Sequence, residues 1–141
     1  MAATDQKLEL LKRVPLFEGL SRSELEQIEQ LSEEVDVPAG QVLTRQGSPG
    51  SEFFIVIDGD VRIDHDGHEI RTIGAGDFLG EIALIDDSPR TATATTATPA
   101  KLLVLGRREF RSLMQGHPTI EACVLRCLVE RIRAHDPSFA Y

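Results

Sequence analysis

Glu81 and Arg90 are the two side chains whose types and setting could do chemistry. Glu81 follows Gly80 and opens a short apolar turn, Ile82-Ala83-Leu84-Ile85. Nine positions after the glutamate, Arg90 opens a threonine-rich stretch beginning Thr91-Ala92-Thr93. An ionised carboxylate accepts hydrogen bonds from sugar hydroxyls, and a guanidinium grips a phosphate through a planar fork of donors. A ligand carrying both groups close together is a nucleotide. The competing reading is a structural ion pair, common on surfaces and worth about 0–1 kcal/mol. Gly80, Ala83 and Thr91 in register with the pair weigh against it.

Such a pair needs elements that hold it. The 141 residues suffice for one domain with one core, and a 41% hydrophobic fraction is that of an ordinary globular chain. Leu8, Leu11 and Val14 recur at helical spacing until Pro15. Ser21 and Glu24 form a capping box before a second helix with Leu25, Ile28 and Leu31 as its buried stripe. From about residue 33 to 106 the period changes to two. Phe53 to Ile57 is apolar on both faces and reads as a strand sandwiched in the core. Asp58-Gly59 and Asp66-Gly67 read as tight two-residue turns, and Thr91 to Thr98 and Lys101 to Leu105 as strands. Helices return over Arg107 to Gln115 and, capped by Thr119, along Ile120, Val124, Leu125, Leu128 and Ile132.

Over most of its length the chain resembles a cyclic nucleotide-binding domain. The likeness is carried by Val14-Pro15-Leu16-Phe17, by the Gln46-Gly47 loop before Phe53-Phe54-Ile55-Val56 and Gly59, and by the cassette Gly76 to Thr93. The resemblance implies a mainly β fold: an eight-stranded antiparallel β-roll with N-terminal helices and two C-terminal helices. It implies one domain over 1–141, with N-terminal helices at about 5–32, the roll at about 33–106 and C-terminal helices at about 107–134. It also implies roles. Glu81 takes the ribose 2′-hydroxyl, Gly80 lets the backbone approach the sugar, and Arg90 pairs with the cyclic phosphate. The backbone N–H groups of Ile82 and Ala83 face that phosphate from a helix N-terminus. The Thr91 hydroxyl can bond the phosphate or a guanine amino group. Leu79 stands where the family usually carries an aromatic and keeps that wall apolar, and Leu128 is a candidate apolar lid over the base. Ala94 and Thr96 replace a more usual valine and alanine.

Other chemistries fit less well. A net charge of −8 argues against nucleic-acid or anionic-membrane binding. Cys123 and Cys127 sit one helical turn apart and read as small buried apolar side chains. His65 and His68 flank a turn and lack the further ligands of a metal site. No signal-peptide pattern opens the chain, so the expected location is cytoplasmic. No helix-turn-helix fits after the final helix. The expectation is a stand-alone, non-enzymatic sensor of cyclic AMP rather than cyclic GMP, without cofactor or metal. Its C-terminal helices would move on binding and signal to an effector protein or through self-association. The alternative is a ligand-free protein-interaction module on the same fold.

Overall fold

The computed structural model describes residues 2–14, 17–80 and 88–135. Helices α1 (Ala2–Arg13) and α2 (Arg22–Leu31) precede eight strands: β1 (Glu33–Val37), β2 (Val42–Thr44), β3 (Glu52–Asp58), β4 (Val61–His65), β5 (His68–Ile73), β6 (Phe78–Leu79), β7 (Thr93–Thr96) and β8 (Ala100–Gly106). Helices α3 (Arg107–Gly116) and α4 (Pro118–His135) follow. The strands form two antiparallel four-stranded sheets, ordered β1-β8-β3-β6 and β2-β7-β4-β5. This is the expected eight-stranded roll with helices at both ends.

β3 is the wall shared by two cores, because its alternate side chains point opposite ways. Phe53 and Ile55 join the helices' cluster, while Phe54 and Val56 join the cluster between the sheets. All four are buried, which is why the segment is apolar on both faces. Phe17, after α1, lies 6.2 Å from Phe53 and 6.2 Å from Phe110 of α3, so one ring joins both helical ends to the sheet. The capping box at Ser21 is present, with both reciprocal hydrogen bonds formed.

Several local expectations need correction. Asp58-Gly59 does not close a hairpin: β3 and β4 belong to different sheets, and the chain turns a corner there. Gly59 (φ 98°) makes the corner possible, because a Cβ on it would stand 2.6 Å from the Pro99 carbonyl oxygen. Asp66-Gly67 is a true hairpin turn, with φ of 52° and 79°. The strand after Thr91 is shorter than its Thr/Ala alternation suggests, beginning only at Thr93. Thr119 does not cap α4. The helix starts one residue earlier at Pro118, whose missing N–H costs nothing at a first helical position. Leu31 and Leu125 are exposed, by 40% and 47%. The buried stripe of α4 is Ile120, Cys123, Val124, Cys127 and Leu128, and Leu125 lies about 100° round the helix from Val124. The two cysteines are thus core side chains. Strand β6, only two residues long, carries too little pattern to be read from sequence.

Phe53→Ala, which empties the space beside Phe17 and Phe78, is expected to cost about 3–5 kcal/mol in urea denaturation. A loss below about 1 kcal/mol would contradict its place at the junction.

Candidate functional site

The site begins with Arg90, just ahead of β7. Its Nη2 donates to the Glu52 carbonyl oxygen at 2.8 Å. Its Nη1 is buried and has no hydrogen-bond partner among the described residues. The side chain threads between two glycines. A Cβ on Gly80 (φ 83°) would stand 2.7 Å from Nη1 and 2.8 Å from the Glu52 carbonyl oxygen, and one on Gly50 would collide with Nε. Burial pushes the Arg90 guanidinium below its ordinary pKa; Glu52 opposes this and Arg107 adds to it. An arginine still holds its proton at neutral pH, so this partly buried group is a cation whose Nη1 lacks a partner among the described residues.

In front of it lies a cleft of about 410 Å³. Four expected residues line it: Leu79, Gly80, Arg90 and Thr91. Glu81, Ile82 and Ala83, with the short helix expected to about Ile85, fall outside the described residues. Leu128 is not among the lining residues; it is buried on α4 in the helical cluster. The size is right for a small ligand, and the orphaned Nη1 fits an anionic group such as a cyclic phosphate.

The opposite wall was not anticipated. It comes from β5, where Ile63 pairs with Arg71 and Asp64 with Glu69, leaving Ile70 as an extra, bulged residue. Bulges re-aim side chains, and both Ile70 and Arg71 line the cleft. Ile70 is 59% exposed there, and Arg71 takes no hydrogen-bond or ion-pair partner among the described residues. The sequence held one trace of this: Ile70 and Ile73 are three apart, an odd spacing for one face of a strand.

A family model for the cyclic nucleotide-binding domain matches residues 34–117, and the chain belongs to that family. It is 32% identical over 137 residues to the CRP-like cAMP-activated global transcriptional regulator of Mycobacterium tuberculosis, spanning 94% of this chain and 61% of the regulator. The N-terminal domain of a transcriptional regulator from Streptomyces coelicolor is similar in structure: 30% identity, TM-score 0.79, 92% of this chain and 93% of that one. The regulatory domain of Toxoplasma gondii PKA with cAMP gives 30% identity and TM-score 0.74 over 79% of this chain and 44% of that one. The chain therefore spans about three fifths of the length of the curated regulator. Among the described residues no helix is long and apolar enough to cross a membrane.

Gly50→Ala is expected to force Arg90 from its slot. An NMR spectrum of arginine Nε–Hε groups should show the Arg90 signal displaced relative to the unsubstituted protein; an unmoved signal would refute the close approach.

Proposed function

We propose that this chain is a cyclic nucleotide sensor. The carrying observation is that Arg90 lines a ligand-sized cleft while its buried Nη1 has no hydrogen-bond partner among the described residues. Leaving a buried charged donor unpaired costs more than the 1–3 kcal/mol of a neutral group, and a cyclic phosphate removes that cost. A ligand-free interaction module has no comparable use for it. In this reading Glu81 receives the ribose hydroxyl, the amides of Ile82 and Ala83 add to the phosphate site, and Gly80 and Leu79 form the near wall. Leu128, held in the helical cluster, reaches the base only if α4 moves, and that movement is the proposed signal. A ligand shifts such an equilibrium only through its differential affinity for the two states. The rest of the reading is a single domain over 1–141, cytoplasmic and non-enzymatic, without metal or cofactor. It acts on a second protein or a second copy, and on neither nucleic acid nor membrane.

Cyclic AMP is the proposed ligand, in keeping with the relatives' names, and cyclic GMP the alternative. Two lining residues bear on the choice. Thr91 can donate to the phosphate or accept from the guanine amino group. Arg71 carries donors only, which match guanine O6 and N7 and oppose the adenine amino group. The β5 wall therefore narrows the margin between the two nucleotides.

Calorimetric titration with both nucleotides is the direct test, and no heat or thermal shift at about 1 mM of either would overturn the proposal. Arg90→Ala is expected to weaken binding roughly 10- to 150-fold; near-normal affinity would remove the role assigned to that arginine. Arg71→Ala should raise the preference for cyclic AMP over cyclic GMP by about tenfold. An unchanged ratio would show that Arg71 does not meet the base.

A further inference from the structure

The backbone that presents Arg90 and Thr91 to the cleft lies ahead of β7, where no sheet ladder reaches it. Its three carbonyls are caught one by one from elsewhere. The Arg90 oxygen accepts from the Gly47 N–H at 2.8 Å, and the Ala92 oxygen accepts from Thr44 Oγ1 at 3.0 Å. The Thr91 oxygen lies 2.9 Å from Nδ1 of His65, the last residue of β4. Of the three donors only the imidazole belongs to an exposed side chain.

His65 is itself held from the other side. Its Nε2 lies 3.3 Å from Oδ2 of Asp66. Asp66 is clamped by Gln46, whose Nε2 donates to Asp66 Oδ1 at 2.7 Å and whose Oε1 accepts from the Asp66 N–H at 2.8 Å. The Gln46 N–H in turn donates to Thr93 Oγ1 at 3.0 Å. The β4–β5 turn, the loop after β2 and the segment before β7 are thereby tied into one unit.

We infer that His65 is a positioning residue for the cleft, setting Thr91, and Arg90 beside it, through the Thr91 carbonyl. This rests on reading the cleft as a nucleotide site. The chemistry of the ring gives the contact a direction. A carbonyl and an ionised carboxylate only accept hydrogen bonds. A neutral imidazole has one N–H and serves either Thr91 or Asp66; an imidazolium has two and serves both. The other groups around the ring do not alter this: β5 brings His68 directly opposite His65, the β2–β3 loop brings neutral Gln46, and the Arg90 guanidinium turns toward Glu52. With one N–H or two, the ring can donate to the Thr91 carbonyl, so the contact is carried by its geometry.

The test compares wild type, His65→Ala and His65→Asn, because an asparagine amide nitrogen can stand where Nδ1 stands. Cyclic nucleotide affinity is measured, and amide hydrogen exchange of residues 90–93 is followed in the ligand-free protein. His65→Ala is expected to bind about three- to tenfold more weakly and to exchange faster over residues 90–93 by a similar factor. His65→Asn should restore both. If His65→Ala matches wild type, or if His65→Asn behaves like His65→Ala, the inference is wrong. If wild type binds neither nucleotide, the reading of the cleft fails, and the exchange data alone still decide whether His65 holds this backbone.

Discussion

The structure depends on one charged group kept partly out of water. The Arg90 guanidinium spends one nitrogen on the Glu52 carbonyl and keeps another buried, with no hydrogen-bond partner among the described residues. Burial disfavours charge, so such a group persists only where its surroundings hold it by shape. Gly50 and Gly80 make the slot, neither able to accept a Cβ without collision. The loop carrying Gly50 is fastened to the arginine's own backbone, the Gly47 N–H reaching the Arg90 oxygen and the Arg90 N–H reaching the Ser48 oxygen. Backbone and side chain of the same residue are thus fixed by one loop, which accounts for a flexible arginine held at a defined place.

The second constraint is the shared wall. β3 buries Phe53 and Ile55 against the helices and Phe54 and Val56 between the sheets. β6 repeats this division in two residues. Phe78 belongs to the helical cluster, Leu79 to the cluster between the sheets, and both line the cleft. Close-packed interiors transmit displacement rather than absorb it. Phe78 packs with Phe53, Phe53 meets Phe17, and Phe17 meets Phe110 of α3, so one run of aromatic contacts leads from the cleft wall to α3. Cleft and helices are in contact without a dedicated linker.

Patterns that one residue's neighbours decide were legible in the chain. The period-two and period-3.6 segments, the Ser21 capping box, the Asp66-Gly67 turn and the double-faced β3 are all local statements about which faces meet apolar surroundings. Arg90, singled out for its chemistry, lines the cleft, while Glu81 falls outside the described residues. The errors lie where a distant segment decides. Asp58-Gly59 has the composition of a hairpin, but Gly59 packs against Pro99 and Ala100 and the chain crosses to the other sheet. Leu125 has the composition of a core residue, but the cysteines occupy the buried stripe and turn it outward.

The sequence by itself determined the order of the helices and most of the strands, because these follow from local periodicity, and through its family resemblance it determined the class of fold. Only the tertiary structure decided what faces Arg90. The bulge that turns Ile70 and Arg71 into the cleft arises from strand register. The catch of the Thr91 carbonyl by His65 spans 26 residues of chain, and the glycine slot joins positions 50, 80 and 90. Each is a contact between segments whose separate sequences carry no record of one another, so packing and register, not pattern, settled the shape of the site.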